Sequence, residues 1–353
     1  MKFLNKHKHE IFQIVFLLVL LSLTFYTLLK DQELDEIWAS VSNSRPGWLI
    51  LGIFFVIIFV CSESVIIHYM MRSLGKEAPL GHCIRYSFVG FFFSCITPSA
   101  SGGQPMQIYY MSKEKLDISV STLVLMIVTI CYKAVLVFVG LGVILFCRPM
   151  IDQYMADTKF WLYLGVALNV GCVTLMSFLV FWPGLTRWIL ERGMTFLERL
   201  HLMKHKEARW AKLFYAMDKY KDASAYFWSH KLVVLNVTLI SIFQRFCLFF
   251  VTYFVYRSLG LSGTGWFDIV MLQAMISVAV DMLPLPGGMG ASEALFMSMF
   301  EKVFGPLTLS GLLVSRGISY YGLIIMSAVI TIFTHIVVMH KWKREKLLQE
   351  EKR

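Results

Sequence analysis

Six ionisable side chains interrupt long apolar stretches of this 353-residue sequence. They comprise three acids and three bases: Glu63, Lys133, Arg245, Asp281, Glu293 and Arg316. Placing one such group at the centre of a bilayer costs about 2.5–3.5 kcal/mol, so these groups usually face the interior of a helix bundle. The three bases could bind a lipid phosphate, and the three acids could bind a cationic headgroup or carry protons. The alternative is that the six groups only neutralise one another.

Two further stretches combine proline, glycine and polar side chains within apolar sequence. The first contains Pro98, Ser99, Ser101, Gly102, Gly103 and Gln104. The second lies between Asp281 and Glu293 and contains Pro286, Gly287, Gly288 and Gly290. Proline removes a backbone donor and glycine permits dihedrals that break a helix. In hydrocarbon, freed backbone groups are tolerated only where they line a cavity or pack against protein. The alternative is two tight loops that join ordinary helices.

These two breaks lie in opposite halves of the chain, centred near residues 102 and 287. Short helices interrupted in corresponding halves are typical of the substrate site in inverted-repeat transporters. Opened helix ends present N–H groups and positive dipole ends to an anion, and a phospholipid phosphate suits them. We therefore predict that both breaks and the six embedded charges form a substrate site. The sequence predicts no catalytic residue, metal ligand or cofactor, since it lacks the phosphate-loop, zinc-protease and nucleophile-elbow motifs.

The composition defines the surroundings in which these residues act. Hydrophobic residues make up 57% of the chain and charged residues 16%, whereas soluble domains average about 45–50% and about 25%. This excludes a soluble enzyme, a disordered scaffold and a nucleic-acid-binding domain. The net charge of +10 fits the excess of Lys and Arg on the cytoplasmic side of membrane proteins. The sequence thus predicts an all-α polytopic membrane protein.

Six segments are long and apolar enough to cross a bilayer as helices: 11–29, 47–70, 119–147, 160–182, 232–256 and 307–339. The first follows three lysines and ends without a small-residue cleavage site, so we predict a retained helix rather than a secretory signal. Three apolar segments are shorter and adjoin the Pro/Gly breaks: 84–97, 268–283 and 291–304.

Loop charges orient these segments. The positive-inside rule assigns to the cytoplasm the N-terminus, 70–87, 183–231 and the tail, and to the outside 30–46, 148–159 and 257–267. These loop assignments are mutually consistent only if the segments 84–106 and 268–304 each return to the side of the membrane from which they enter. We therefore predict two re-entrant hairpins from opposite sides, related as a pseudo-inverted repeat. The alternative is that 84–106 and 268–283 cross fully, with compensating crossings elsewhere.

The predicted organisation is one membrane domain, 1–340, and a basic cytoplasmic tail, 341–353. Within the domain, 183–231 is a cytoplasmic amphipathic loop. Trp210, Leu213, Phe214 and Met217 share a helical face there, close to several lysines. That pattern fits a helix on the anionic cytoplasmic leaflet, and equally a short helix packed under the bundle.

The motifs themselves resemble those of a known family. Thr97-Pro98-Ser99…Gly102-Gly103-Gln104-Pro105, with Pro284-x-Pro286-Gly287-Gly288-x-Gly290-x-x-Glu293, is similar to the lysylphosphatidylglycerol synthase/flippase transmembrane family. This is the membrane region of the multiple peptide resistance factor and its stand-alone relatives, and the resemblance covers nearly the whole chain. It implies a polytopic inner-membrane bundle that moves or presents aminoacylated or other anionic-derived lipids.

Full-length members of that family carry a separate cytosolic domain that transfers lysine from lysyl-tRNA to phosphatidylglycerol. Only 13 residues follow His340 here, so we do not expect direct lysyl transfer. The predicted function is a flippase-like lipid transporter with a phospholipid substrate. Three alternatives remain: a phosphatidylglycerol lysyltransferase-type enzyme, the membrane partner of a separate soluble synthase, and a lipid-binding module that transports nothing. We also expect the protein to contact membrane lipids and not to bind nucleic acid. The formation of oligomers is left open.

Overall fold

Helices dominate the computed structural model, which describes residues 42–199 and 207–350. In chain order they are α1 (Pro46–Ser73), α2 (Leu80–Ile96), α3 (Gly103–Lys113), α4 (Ile118–Phe146), α5 (Arg148–Tyr154), α6 (Lys159–Phe181), α7 (Pro183–Arg199), α8 (Glu207–Ser229), α9 (Lys231–Ser258), α10 (Trp266–Val280), α11 (Ala291–Phe304), α12 (Thr308–Arg316) and α13 (Leu323–Glu350). Short 3-10 turns lie at Pro98–Ala100, Pro286–Gly288 and Gly305–Leu307. A π-helical turn, Gly317–Gly322, joins α12 to α13.

Five helical stretches of the described chain are long and apolar enough to cross a membrane: Pro46–Ser73, Ile118–Phe146, Lys159–Phe181, Lys231–Ser258 and Pro286–His340. They confirm an all-α polytopic membrane fold. The last stretch contains α11 as well as the segment predicted at 307–339. The predicted span 11–29 and the last three residues of the predicted tail lie outside the described residues.

Helices α1 and α9 pack side by side in opposite directions. The Arg45 N–H donates to the Ser258 carbonyl oxygen at 2.8 Å; we call the end of the bundle marked by these two residues end A. At the other end, end B, the Asn236 amide donates to the Tyr69 hydroxyl at 3.0 Å. The buried apolar side chains form two clusters. The first lies largely among α1, α9, α10 and α11, and the second gathers the end-B parts of α1, α2, α4 and α8.

The α2–α3 pair is an antiparallel hairpin that opens at end B. At its open end the two arms are joined by a hydrogen bond, in which Arg85 Nη2 donates to Glu114 Oε1 at 2.9 Å. His68, next to Tyr69, hydrogen-bonds the Ala78 carbonyl oxygen just before α2, which places this end at end B. Near the turn the arms are in backbone contact, because a Cβ added at Gly103 would lie 2.7 Å from the Gly90 carbonyl oxygen.

The α10–α11 pair is a second hairpin, and it opens at end A. Tyr256, close to Ser258, accepts a hydrogen bond from the Thr264 N–H at 2.9 Å, just before α10. The same ring packs edge-on against Phe304, the last residue of α11, with the ring centroids 5.3 Å apart. Both arms of this hairpin therefore end at end A, opposite to the open end of the first hairpin.

The turns of the two hairpins are in contact. Ser99 Oγ donates to the Leu283 carbonyl oxygen at 3.5 Å, and the Tyr320 hydroxyl donates to the Cys95 carbonyl oxygen at 2.9 Å. At 1.5 Å per residue, α2 and α10 are about 25 and about 22 Å long, which is less than the roughly 30 Å hydrocarbon core. The re-entrant course of the two hairpins and their position in a bilayer stay predictions.

The segment predicted as an amphipathic loop contains α7 and α8. Met217, Tyr220 and Phe227 of α8 are buried, and Ser224 Oγ donates to the Val180 carbonyl oxygen at 2.6 Å. Lys219 forms an ion pair with Asp117 at the start of α4, and this hydrogen bond raises the pKa of Lys219 to about 12. Of the two interpretations of this helix, the contacts favour packing against the bundle.

Candidate functional site

The first break is a turn held by one hydroxyl group. Thr97 Oγ1 donates to the Phe93 carbonyl oxygen at 2.6 Å and accepts from the Gly102 N–H at 2.9 Å. Between these contacts Ser99 has a φ of +50°, in the left-handed region that non-glycine residues seldom adopt. Ser101 is exposed. The predicted residues Pro98, Ser99, Ser101 and Gly102 therefore form the tip of the first hairpin.

Gly103 and Gln104 join this tip to its neighbours. The close approach of α2 and α3 requires glycine at 103, because a Cβ there would also lie 2.0 Å from Ser94 Oγ. The Gln104 amide donates to the Thr129 hydroxyl of α4. Both residues therefore have structural contacts, and their predicted role in substrate binding stays a prediction.

The second break turns at Pro286, Gly287 and Gly288. Gly287 has a φ of +57°, and a Cβ added to it would lie 2.0 Å from the Tyr320 ring. Glycine is therefore required both for the backbone conformation and for the close approach of the ring. Gly290, with a φ of +81°, precedes the first turn of α11.

Glu293 connects this break to α12 through hydrogen bonds. Its Oε1 accepts from Arg316 Nε at 2.7 Å, and its Oε2 accepts from the Gly290 N–H at 2.7 Å and from Ser292 Oγ at 2.9 Å. Arg316 also donates from Nη2 to the Gly287 carbonyl oxygen at 3.0 Å. Glu293 is 3% exposed. The carboxylate thus caps α11 and neutralises Arg316, which itself satisfies a carbonyl freed by the break.

Asp281, just before the second break, lies between two cations. Its Oδ2 accepts from Lys133 Nζ at 2.6 Å and its Oδ1 from Arg245 Nη2 at 3.0 Å. The Arg245 guanidinium lies 3.3 Å from the centroid of the Tyr132 ring. Its Nε is buried and has no hydrogen-bond partner in the described part of the chain. With two bases and one acid, this cluster carries one excess positive charge.

Glu63 has a different environment. Its Oε1 accepts from Gln107 Nε2 of α3 at 2.8 Å, and the Gln244 amide lies beside the same carboxylate. Among residues 42–199 and 207–350, no Lys or Arg side chain forms an ion pair with it. The six embedded charges therefore form one neutral pair, one cluster with excess positive charge and one carboxylate without a cation. Mutual neutralisation accounts for only part of the set.

Several residues of this region were not singled out from the sequence. Tyr132 lies under Arg245, Gln107 contacts Glu63, and Tyr320 contacts both Gly287 and Cys95. Two of them had a usable signal. Tyr132 adjoins Lys133, and Tyr320 lies four residues after Arg316, the spacing that places two side chains on one helical face. Gln107 lies in a short helix with other polar residues, such as Gln104, and had no comparable signal.

Opposed helical hairpins and buried charges within a polytopic bundle define the class of this molecule as a multi-pass membrane protein. The chain belongs to the family described as lysylphosphatidylglycerol synthase TM region, which matches residues 11–327. This match confirms the family that the sequence motifs resemble. Comparison with curated proteins finds no match.

Proposed function

We propose that this protein is a flippase-like transporter that moves a polar phospholipid, aminoacylated or anionic, between the leaflets of the cell membrane. Residues 1–340 would form the membrane domain, with both termini and end B in the cytoplasm. The charge distribution supports this orientation, because the basic loops 70–87 and 183–231 adjoin end B. Excess Lys and Arg mark the cytoplasmic side of membrane proteins.

The observation that carries the proposal is the contact between the two hairpin turns. One hairpin opens toward each end of the bundle, and they touch through Ser99 and Leu283. Transporters built from opposed broken helices bind substrate at such a meeting point and expose it to one side at a time. Movement of either hairpin away from the other would open a path from one end of the bundle to the headgroup site.

The charges beside the turns supply the chemistry that a headgroup needs. Arg245 and Lys133 would bind the lipid phosphate, while Asp281 and Glu293 would bind an amine if the headgroup carries one. Arg316 would hold the second turn in its bound shape through the Gly287 carbonyl oxygen. The polar groups of the first turn, Ser99 and Ser101, would contact the headgroup from the opposite hairpin.

A second candidate function follows from the family description, which names a synthase. In that case the chain would be a phosphatidylglycerol lysyltransferase-type protein, or would present lipid to a separate soluble lipid-modifying enzyme. Incubation of the purified protein with lysyl-tRNA and phosphatidylglycerol separates the candidates. The transporter proposal expects no lysylated lipid, and its formation would reverse the order of the two candidates.

The direct test is a leaflet-resolved assay of fluorescent phosphatidylglycerol in proteoliposomes, repeated with lysylphosphatidylglycerol. Glu293→Gln should lower movement to the rate of protein-free vesicles. Glu301→Gln is the matched control, because Glu301 lies in the same helix, is exposed, and takes no part in the cluster. Wild-type movement that persists in both Glu293→Gln and Arg316→Ala would contradict the proposal.

A further inference from the structure

In the described part of the chain, amide groups hold the Glu63 carboxylate, which lies in the middle of α1. Gln107 donates to it from α3, and Gln244 lies against it from α9. Neutral amides can pair with a carboxylate and also with a carboxylic acid, because an amide carries both donors and an acceptor. The partners of Glu63 therefore decide whether both protonation states can be accommodated.

Gln244 provides what a protonated carboxyl group requires. It is fully buried, and its Nε2 donates to the Phe59 carbonyl oxygen at 3.1 Å. Its Oε1 is buried and accepts no hydrogen bond from the described residues. An ionised Glu63 accepts from Gln107, whereas a protonated Glu63 has an O–H that needs an acceptor. A turn of the Gln244 amide would bring this unpaired Oε1 toward the carboxyl group and supply that acceptor.

Glu63 also lies close to the cluster with excess positive charge. The ring of Phe59, one turn before Glu63 on α1, has its centroid 6.5 Å from that of the Tyr132 ring. The Tyr132 ring is in contact with the Arg245 guanidinium. The Glu293–Arg316 pair is neutral and leaves the total charge of the buried groups unchanged. An ionised Glu63 therefore balances the excess charge of Lys133, Arg245 and Asp281. Such charges interact strongly in a medium of low dielectric constant.

Among residues 42–199 and 207–350, the elements around α1 bring no other balancing acid to Glu63. Helix α1 packs against α2, α4, α9 and the 317–322 turn. The polar groups on these elements whose contacts have been described are Ser87 of α2, Tyr132 and Lys133 of α4, Gln244 and Arg245 of α9, and Tyr320 of the turn, and none of them is an acid. An anion that entered beside Arg245 would thus take over the balancing role of Glu63.

We propose that Glu63 takes up one proton when an anionic phospholipid headgroup binds beside Arg245 and Lys133, and releases it when the lipid leaves. This inference rests on the proposed function and adds that lipid binding is coupled to the uptake of a proton. The phosphodiester brings one negative charge, the Glu63 carboxylate combines with one proton from water, and the total charge of the buried groups stays constant. The new O–H donates to Gln244 Oε1.

The direction of the pH dependence follows from linkage. Because binding consumes a proton, acid favours the bound state. The affinity for phosphatidylglycerol should rise as the pH falls, by at most about tenfold per pH unit for one proton per lipid. Glu63→Gln imitates the protonated form, so its affinity should match that of the wild type at low pH and stay constant as the pH rises.

The test is equilibrium binding of radiolabelled phosphatidylglycerol to the detergent-purified full chain between about pH 5 and about pH 9. Glu301→Gln is the matched carboxyl-to-amide control and should keep the wild-type pH dependence. Thermal unfolding of each variant shows whether it is folded. A wild-type affinity that does not change with pH, or a folded Glu63→Gln variant that keeps the wild-type dependence, would overturn the proposal.

Two further ligands test whether the site recognises an anionic lipid or any phosphate. Zwitterionic phosphatidylcholine brings no net charge, so its binding should not depend on pH in the wild type. Glycerol 3-phosphate shares the anionic phosphate but has no acyl chains. If it displaces phosphatidylglycerol at equal concentration, the site takes free phosphates and the lipid assignment is wrong.

Lipid movement in proteoliposomes separates this inference from the function on which it rests. Movement of phosphatidylglycerol at a rate and affinity independent of pH would refute the proton coupling and leave the transporter standing. Binding that depends on pH through Glu63 without any movement would support the coupling and contradict transport.

Discussion

The turn between α2 and α3 is held by uncharged groups, whereas the turn between α10 and α11 is held by ions. In the first, Thr97 bonds two backbone groups and Gln104 bonds Thr129. In the second, Asp281 and Glu293 each accept from basic side chains. The two hairpins are opposed in direction and similar in composition, yet their turns are fastened by different interactions.

This difference sets how much each turn resists disruption. Net stabilisation by an uncharged hydrogen bond is about 0.5–1.5 kcal/mol, whereas removal of one partner of a buried ion pair costs about 3–5 kcal/mol. We therefore expect the first hairpin to be displaced more readily. Hydrogen exchange should be faster at 97–103 than at 281–290, and the reverse order would contradict this view.

The largest effect is expected for Arg316→Ala. It leaves the Glu293 carboxylate buried and without a cation, and it frees the Gly287 carbonyl oxygen. The free energy of unfolding should fall by about 3–5 kcal/mol, measured by denaturant titration in detergent. The double variant with Glu293→Gln should recover a large part of the loss. Additive losses would show that the pair does not stabilise the second turn.

Asp281→Asn should destabilise the same turn by about 3 kcal/mol, because two adjacent cations then lose their shared acid. Lys133→Met is the matched comparison. It removes one cation and leaves the Arg245–Asp281 pair intact, so it should cost clearly less than Asp281→Asn. Equal losses in the two variants, again from denaturant titration, would contradict the charge count at Asp281.

Gly103→Ala tests the closest contact of the first hairpin. The added methyl group would meet Ser94 Oγ and the Gly90 carbonyl oxygen, so the arms must separate at a cost of about 1–3 kcal/mol. Gly81→Ala is the control, since a Cβ there meets nothing within 4 Å. Thermal unfolding should separate the two variants; similar midpoints would argue against tight packing of the arms.

The smallest effect is expected at Thr97. Thr97→Val removes the hydroxyl that joins the Phe93 carbonyl oxygen to the Gly102 N–H, and should cost about 1 kcal/mol. Thr97→Ser keeps the hydroxyl and loses one buried methyl group, so it should cost at most about 0.8 kcal/mol. A loss as large as that of Arg316→Ala would remove the contrast between the turns.

Much of the fold could be predicted because its signals are local. Apolar length identified five helical stretches between residues 46 and 340, and proline with glycine identified both turns. The π-helical turn at Gly317–Gly322 was missed, since apolar composition is the same for α- and π-helical backbone. In the candidate site, residue type identified the six embedded charges, but it did not identify the side chains that contact them.

The sequence by itself determined that the chain is a helical membrane protein with two interrupted segments, because bilayer thickness and backbone stereochemistry act on neighbouring residues. Only the tertiary structure decided that Lys133 meets Asp281, that Arg316 meets Glu293, and that Glu63 meets amides instead of a cation. These partners come from different helices. Which helical faces meet depends on the packing of the whole bundle rather than on any local pattern.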